Sequence, residues 1–254
     1  MRTSIVDRLR NGEFLVGTWA KMAAPETVEL IGHVGFDFAV IDMEHAPHSF
    51  QTAYSSIAHA QATGMAALIR APDRSGSAIQ RILDAGADGI LVPRVETPEQ
   101  AAEATAAMAF PPVGHRGMGY TSRAARWGLD TAAEYLANGR DHVLRAVQLE
   151  DMGSLENIDA ILDAPALNGV FIGFGDLALS SGLPGSHPTL RALETKALAA
   201  ANARGIPCGT AVQTAADAAR CKQAGYSYCM ISADTSMFAS AAKALIADAR
   251  AALA

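Results

Sequence analysis

The most constraining feature of this sequence is the regular alternation of short apolar runs with longer alanine-rich stretches along its whole length. Runs of Val, Ile, Leu, Ala and Met bounded by Gly, Pro or Asp are typical of buried strands. The stretches between them have the periodicity of amphipathic helices, as at 25–33, 49–61, 77–84, 98–108 and 190–204. The predicted strands are residues 15–20, 38–43, 66–71, 89–94, 143–149, 169–173, 207–212 and 228–232.

A chain that alternates strand and helix in this way builds a parallel sheet, because each helix returns the chain to the end of the sheet where the next strand starts. Eight such repeats without a break in composition favour one domain, a single (β/α)8 TIM barrel over residues 1–254. A doubly wound open sheet is the alternative architecture. Residues 235–253 are predicted to form a final helix.

Composition excludes several classes of function. The chain has a net charge of −6 and no basic stripe, so nucleic acid is not an expected partner. Its three cysteines make no CxxC pair, which favours buried thiols in a reducing compartment. The sequence has neither a signal-peptide core nor an apolar run of the roughly 20 residues needed to span a bilayer. We therefore expect a cytoplasmic protein without a membrane partner.

Three ionisable residues stand within four positions at the end of the second predicted strand, namely Asp42, Glu44 and His45. Burying charge without partners is costly, so such a cluster at the end of a buried strand indicates a site. In a barrel the carboxyl ends of all strands converge on one mouth, where ligands bind. Histidine titrates near neutral pH, and His45 is therefore the candidate for proton transfer.

Two further carboxylates, Glu150 and Asp176, follow the fifth and sixth predicted strands. Oxygen ligands of this kind suit a hard divalent cation that keeps several waters or substrate oxygens. Gln148 lies two residues before Glu150 and therefore on the same side of its strand. The alternative interpretation is that the carboxylates cap helices, because Asp and Glu favour first helical turns.

Arg70 and the glycines around residue 174 are candidates for binding an anion. An arginine at the end of a buried strand can hold a carboxylate or an oxyanion, or can form an ion pair with Asp42 or Glu44. Gly173 and Gly175 would let backbone N–H groups approach an anion, although a tight turn is the alternative.

Lys21 is the only one of four lysines at a predicted strand end. A Schiff-base enzyme needs a desolvated lysine in its pocket. A lone lysine at such a position is more often a surface or pairing residue.

These residues lie in segments that together resemble the HpcH/HpaI aldolase and citrate lyase family, and within it the class II pyruvate-dependent aldolases. The likeness runs from residue 15 to about residue 233 and is greatest to 4-hydroxy-2-oxoheptanedioate and 2-keto-3-deoxy-sugar-acid aldolases. One departure is Phe174, where many members have proline. The segments are GFDFAVIDMEH (35–45), IRAP (69–72), LDAGADGILVP (83–93), RG (116–117), QLE (148–150) and IGFGDL (172–177).

The resemblance implies a barrel with a divalent metal, typically Mg²⁺, Mn²⁺ or Co²⁺, on Glu150 and Asp176. It implies a homohexamer of paired subunits, in which the final helix packs on a neighbouring subunit. The family's histidine and arginine match His45 and Arg70, and Gln148 matches a residue near the metal and pyruvate. Asp84 resembles an aspartate that reaches the histidine of an adjacent subunit.

The predicted activity is therefore metal-dependent, reversible aldol cleavage of a 4-hydroxy-2-oxo acid to pyruvate and an aldehyde, through a metal-stabilised pyruvate enolate. Arg70 would stabilise the enolate oxygen, and the N–H groups of Gly175 and Asp176 would hold the carboxylate. His45, oriented by Asp84 or Asp42, would exchange a proton with the aldehyde oxygen.

Three alternatives remain open at this level: a lyase acting on CoA thioesters, a Schiff-base aldolase that uses Lys21, and a non-enzymatic sensor of small acids.

The long segment 110–128 lacks periodicity and contains Arg116 and Arg123. Such long loops in compact domains are usually functional or disordered, and this one is assigned to the aldehyde side or to a subunit interface.

Overall fold

Eight parallel strands form a closed barrel in the structure, a computed structural model that describes residues 3–253. The strands pair in sequence order and the last pairs with the first, which confirms the predicted (β/α)8 barrel and excludes the open sheet. The strands are Leu15–Ala20 (β1), Phe38–Asp42 (β2), Ala66–Arg70 (β3), Gly89–Val92 (β4), Leu144–Leu149 (β5), Gly169–Ile172 (β6), Cys208–Val212 (β7) and Tyr228–Ala233 (β8).

Helices connect these strands, and each helix that was predicted begins and ends within two residues of its expected place. Pro25 and Pro98 occupy the first turns of their helices, where a missing N–H costs nothing. The helices are Ile5–Arg10 (α1), Pro25–Val34 (α2), Phe50–Ala62 (α3), Gly76–Asp84 (α4), Pro98–Met108 (α5), Ala132–Asp141 (α6), Met152–Glu156 (α7), Ile158–Leu162 (α8), Phe174–Ser181 (α9), Pro188–Ala203 (α10), Ala215–Ala224 (α11) and Asp234–Ala252 (α12).

The interior of the barrel is filled by side chains. The rings of Phe38 and Tyr228 meet edge to face with centroids 5.9 Å apart. A Cβ atom at Gly17 would lie 2.3 Å from the Phe38 ring, and one at Gly209 would lie 2.1 Å from the Tyr228 ring. The two glycines are therefore needed to admit the two rings, and the barrel is a packed core rather than a pore.

Helix α1 closes the amino-terminal end of the barrel. Ile5, Val6 and Leu9 are buried in the same cluster as Leu15 and Leu144, near the starts of their strands. This leaves the carboxyl ends of the strands as the open mouth. No helix within residues 3–253 has the length and hydropathy required to cross a membrane.

Helix α12 has large apolar side chains on its surface. It contacts β1 and β8, and Asp234 at its start is its buried residue. Phe238, Leu245 and Ile246 are 68%, 73% and 50% exposed. Apolar side chains grouped in this way are typical of a docking surface. The predicted transfer of this helix to a neighbouring subunit stays a prediction.

The segment 110–128 packs near the amino-terminal end of the barrel, away from the mouth. Arg116 is buried and donates from Nη2 to Oδ1 of Asp84 at 2.8 Å, and Arg123 donates to the carbonyl of Ala85 at 3.3 Å. Asp84 ends α4, the helix that returns the chain to the start of β4. Within one chain this loop therefore does not reach the aldehyde side of the mouth, and its placement at a subunit interface stays a prediction.

Arg145 links three parts of the outer layer. It is buried on β5, and its Nε donates to the carbonyl of Ala166 at 2.7 Å. Its Nη1 donates to the carbonyls of Gly139 and Arg140, in the last turn of α6, at 2.9 and 3.0 Å. These carbonyls have no partner within the helix, so the arginine caps α6. Burial lowers the pKa of Arg145 to about 10, which keeps the group charged at neutral pH.

Replacing Arg145 with Met should lower the free energy of unfolding by about 3 kcal/mol, because several buried carbonyls lose their donor. Urea unfolding measures the loss. The matched control is Arg140→Met, since the Arg140 side chain is exposed and pairs with its neighbour Asp141 at the surface. Equal stabilities of the two variants would mean that water replaces the Arg145 guanidinium at no cost.

Candidate active site

The open end of the barrel holds a cavity of about 420 Å³. Residues that were predicted at strand ends line it, although they are distant in sequence: Lys21, His45, Arg70, Gln148, Gly173, Gly175 and Asp176. Trp19 and Phe171 form its apolar part, with their rings edge to face at 5.9 Å. The cavity therefore joins charged and apolar groups in the way that small-molecule sites do.

A larger cleft of about 630 Å³ lies between α10 and α11 on the outside of the barrel. Its charged side chains pair with one another, as Arg191 does with Glu194 and Arg220 does with Asp217. The smaller cavity at the mouth has the convergent strand ends and the buried polar groups, so we assign the site to the mouth.

Asp42 and Arg70 form a buried ion pair at the base of the mouth. They stand opposite each other on β2 and β3, because the register of these strands pairs residue 42 with residue 70. Nε and Nη2 of Arg70 donate to Oδ1 and Oδ2 of Asp42 at 2.9 and 2.6 Å. Burial by itself would raise the pKa of Asp42, but the hydrogen bonds and charge of Arg70 outweigh it and lower the pKa to about 2.

His45 is placed by the backbone and faces Glu44. Oδ1 of Asp42 accepts the N–H groups of Glu44 and His45, each at 3.1 Å, which folds the chain sharply after β2. The imidazole Nε2 lies 3.6 Å from Oε2 of Glu44, and the His45 side chain is 48% exposed. Asp42 thus positions the main chain of His45, while Glu44 is the carboxylate nearest to its ring.

Glu44 completes a chain of charges across β2, β3 and β4. Its Oε1 lies 2.9 Å from Nε of Arg94, and its Oε2 lies 3.3 Å from Nη1 of Arg70. The guanidinium of Arg70 also lies 4.4 Å from the centre of the Trp19 ring, which is a cation–π contact. Arg70 is therefore fixed on two carboxylates and one aromatic ring. The ion pair of Arg70 with Asp42 or Glu44, which was the alternative prediction for this arginine, is therefore present. Arg70 also lines the cavity.

Glu150 and Gln148 form the opposite side of the mouth. Nε2 of Gln148 donates to Oε2 of Glu150 at 2.5 Å, and the backbone N–H of Arg94 donates to Oε1 at 2.9 Å. Burial raises the pKa of Glu150, and the negative charges of Asp176 and Glu44 add to this shift. Asp151 rather than Glu150 caps the next helix, since its Oδ1 accepts the N–H of Ser154 at 3.0 Å. The helix-cap interpretation therefore does not apply to Glu150.

The residues at this side suit a hard divalent cation. Asp176 is exposed in the first turn of α9 and faces the same cavity. Oε1 of Gln148 is buried without a hydrogen-bond partner among residues 3–253, so an amide oxygen remains free near the two carboxylates. Within the same residues no cluster of three or more His, Cys, Asp or Glu side chains could hold a metal. A cation here would depend on water or substrate for its other ligands, as Mg²⁺ commonly does.

Gly173 is required by packing, whereas Gly175 is not. A Cβ atom at Gly173 would lie 3.0 Å from Cβ of Glu150 and 3.1 Å from its Oε2. A Cβ at Gly175 would meet nothing within 4 Å, but this residue belongs to the first turn of α9. N–H groups in a first turn have no partner within the helix and attract anions.

Lys21 lies at the mouth, and Asp84 does not. Nζ of Lys21 is 3.3 Å from Oδ2 of Asp42, and the side chain borders a polar cavity rather than a desolvated pocket. That setting is unlike the one that activates Schiff-base lysines. The Asp84 carboxylate is held near the amino-terminal end by Arg116 and by the hydroxyl of Tyr135, which donates to it at 3.2 Å. Within one chain Asp84 therefore cannot orient His45.

Arg94 and Ser232 belong to the site but received no role from the sequence. Arg94 has a φ of 54° and Ser232 a φ of 58°, a region of backbone geometry that side chains other than glycine rarely adopt. Arg94 bonds both Glu44 and Glu150, and Ser232 lines the cavity. Arg94 was the last residue of a predicted strand, but no local sequence signal marks either residue as left-handed.

Comparison with known proteins identifies the relatives of this chain. The family model described as HpcH/HpaI aldolase/citrate lyase matches residues 15–241. The 5-keto-4-deoxy-D-glucarate aldolase of Salmonella arizonae is 35% identical over 225 residues, which is 88% of this chain and 87% of that protein. The enzyme of the same name from Citrobacter koseri is 35% identical over 232 residues, covering 91% and 90% of the two chains.

Solved structures agree with this result. An HpcH/HpaI aldolase/citrate lyase family protein from Burkholderia cenocepacia superposes with a TM-score of 0.89 at 31% identity, over 97% of this chain and 98% of that one. The HpcH/HpaI aldolase of Desulfitobacterium hafniense gives a TM-score of 0.91 at 25% identity, over 98% and 97%. The predicted enzyme class, a carbon–carbon lyase of the class II aldolase type, is confirmed. The chain belongs to the HpcH/HpaI aldolase/citrate lyase family.

Proposed function

We propose that this enzyme catalyses metal-dependent, reversible aldol cleavage of a 4-hydroxy-2-oxo acid to pyruvate, or a related 2-oxo acid, and an aldehyde. The observation that supports it most directly is Arg70, which is fixed by Asp42 and Glu44 and faces Gln148 and Asp176 across one cavity. The name of the curated relatives supports a keto-deoxy sugar acid as the substrate.

In this proposal Glu150 and Asp176 hold the cation, which is Mg²⁺, Mn²⁺ or Co²⁺. When bound, it supplies Lewis-acid polarisation of the keto group and so makes the adjacent carbon–hydrogen bonds acidic. The raised pKa of Glu150 fits the role, because a buried carboxylate beside a second negative charge gains most from a nearby cation. Gln148 holds Glu150 in place through its amide N–H and keeps its own oxygen free.

Arg70 stabilises the negative charge that develops on the keto oxygen. Its position is set before the substrate arrives, by Asp42 on one edge and by the face of Trp19. Donors that need no reorganisation during the reaction contribute most to rate. The N–H groups of Gly175 and Asp176, at the start of α9, bind the carboxylate of the 2-oxo acid.

His45 removes the proton from the 4-hydroxyl group during cleavage and returns it to the aldehyde oxygen during condensation. Its ring is about half exposed at the mouth, where the aldehyde end of the substrate enters. Glu44 lies close enough to stabilise the protonated imidazole that forms during each cycle.

The working assembly in this proposal is a homo-oligomer, a hexamer by resemblance to the family. The apolar face of α12 docks on a neighbouring subunit, and Asp84, held by Arg116, reaches the His45 of an adjacent copy. The exposed Phe238 and Leu245 support the first point, since they lie two turns apart on one helix face. The three free cysteines, Cys208, Cys221 and Cys229, support a reducing compartment such as the cytoplasm.

The reaction is tested by pyruvate formation from a panel of 4-hydroxy-2-oxo acids. We expect cleavage of at least one of them, loss of activity with EDTA and recovery on addition of Mg²⁺ or Mn²⁺. Borohydride with pyruvate should leave the protein unmodified. Cleavage that resists EDTA together with a reduced adduct on Lys21 would replace this mechanism with a Schiff base, and no cleavage at all would refute the function.

Replacing His45 with Asn should slow turnover by roughly 10²- to 10⁴-fold, the usual contribution of a positioned acid–base group. Metal affinity, measured by calorimetric titration with Mn²⁺, should stay unchanged because the proposed ligands belong to the other side of the mouth. His33→Asn is the control, since that side chain is exposed on α2. Loss of the metal in the His45 variant would show that the histidine belongs to the metal site.

The assembly is tested with a variant that carries Phe238→Glu and Leu245→Glu. Two charges on the apolar face of α12 should reduce the mass found by light scattering, because they cannot be buried at a subunit contact. Lys243→Asp is the control on the same helix, on a face away from both residues. An unchanged mass in the double variant would exclude this face from the assembly.

A further inference from the structure

One side of the mouth has polar side chains that the proposed reaction does not use. Lys21, Gln213, Ser232, Thr235 and Ser236 line the cavity together, from the ends of β1, β7 and β8 and the start of α12. Because the barrel closes in sequence order, this group lies across the cavity from the ends of β4 and β5. We call these five residues the polar wall. It borders the space left over once the 2-oxo acid occupies Arg70 and the start of α9.

Lys21 is held rigidly at its backbone. Its N–H and that of Met22 donate to Oδ1 and Oδ2 of Asp234, both at 2.9 Å. Asp234 is buried and also accepts the N–H of Thr235 at 2.7 Å. One carboxylate thus joins the end of β1 to the start of α12, and it fixes Lys21 relative to the rest of the polar wall.

The ammonium group of Lys21 retains donors that face the cavity. It lies 3.3 Å from Oδ2 of Asp42, but that oxygen already accepts Nη2 of Arg70 at 2.6 Å. An ammonium has three N–H donors, and this contact uses at most one of them. The Lys21 side chain is 32% exposed, so the remaining donors are open to a ligand.

The ion pairs at this side of the mouth leave Lys21 only partly used. Three cations, Lys21, Arg70 and Arg94, are joined by ion pairs to two carboxylates, Asp42 and Glu44. A third carboxylate, Asp234, balances the formal charge but is bonded by backbone N–H groups. Of the three cations, Lys21 has the most donors left for an anion of the substrate.

A bulge in β8 presents Ser232 to the cavity. Gly17 pairs with Met230 and Trp19 with Ala233, so β8 has one residue more than β1 over the same distance. Oγ1 of Thr18 donates to the carbonyl of Ile231 at 2.9 Å within this irregular stretch. Ser232 has a φ of 58° there. Bulges beside active sites commonly redirect a side chain, and strain of this kind persists where the surrounding structure enforces it.

We propose that Lys21 and Ser232 form a subsite for a carboxylate carried by the aldehyde part of the substrate, with Gln213, Thr235 and Ser236 bonding its hydroxyl groups. This proposal rests on the aldol reaction proposed above and names the residues that select the aldehyde. Lys21 determines specificity through a charge-assisted hydrogen bond, whereas His45 and Arg70 act on the reacting atoms. The preferred substrate therefore has an acid group at each end.

The test compares two aldehydes that differ only at one end. In condensation with pyruvate, 2-hydroxy-3-oxopropanoate ends in a carboxylate and glyceraldehyde ends in CH₂OH. We expect the wild-type enzyme to have the higher kcat/KM with the carboxylate. Lys21→Met should lower the ratio of the two kcat/KM values by roughly 10- to 100-fold, the effect of losing one charged hydrogen bond. Ser232→Ala should lower the same ratio by a smaller factor, and Lys222→Met, on α11, is the control.

A purely structural role for Lys21, through Asp42 and Arg70, would reduce both kcat/KM values by the same factor, and that result would overturn the subsite. If Lys21→Met does not fold, the ratio of the two kcat/KM values is measured in Lys21→Gln and Ser232→Ala instead. A second measurement separates the proposed reaction from the proposed subsite. NMR monitors the exchange of the pyruvate methyl protons with D₂O in the absence of any aldehyde. Metal-dependent exchange with an unaltered ratio refutes the subsite alone. Absence of both exchange and condensation in the wild type refutes the reaction and the subsite together.

Discussion

The ion pair between Asp42 and Arg70 is the interaction on which the geometry of the mouth depends. Asp42 is fully buried, and removing one partner of such a pair typically costs about 3–5 kcal/mol, because the other charge is left without compensation. The same carboxylate accepts the N–H groups that turn the chain toward His45 and lies within reach of Lys21. One side chain at the end of β2 therefore positions the arginine, the histidine and the lysine.

The two sides of the mouth have opposite electrostatic character. Around Asp42 three cations form ion pairs with two carboxylates, whereas Glu150 accepts hydrogen bonds from an amide and a backbone N–H and feels the negative charge of Asp176. Burial raises the pKa of Glu150, while Arg70 lowers that of Asp42 to about 2. A site of this kind suits a ligand that brings negative charge to one side and a cation to the other. The arrangement agrees with a 2-oxo acid and a divalent metal as joint occupants.

Much of this architecture could be predicted from the sequence because it follows from periodicity. Short apolar runs located the strands, and residues at the carboxyl ends of these strands, such as Arg70 and Gln148, are those that converge. What could not be predicted depends on register and on backbone strain. The sequence left the partner of Arg70 open. Only the register of β2 and β3, which pairs residue 42 with residue 70, shows that Asp42 holds it. No local sequence pattern predicts the bulge at Ser232 or the left-handed backbone of Arg94, because both arise from the packing of the whole barrel.

Arg94 limits how far this enzyme could be altered by evolution or by design. Its backbone N–H bonds Glu150 and its guanidinium bonds Glu44, so the same residue supports both sides of the mouth. Glycine would relieve its left-handed backbone but would abolish the bond to Glu44, and a lysine could not reproduce the planar fork of the arginine. Lys21 and Ser232 are under no such double constraint. New aldehyde preferences should therefore arise at the β8–β1 side of the barrel, while Arg94, two residues after β4, should remain an arginine.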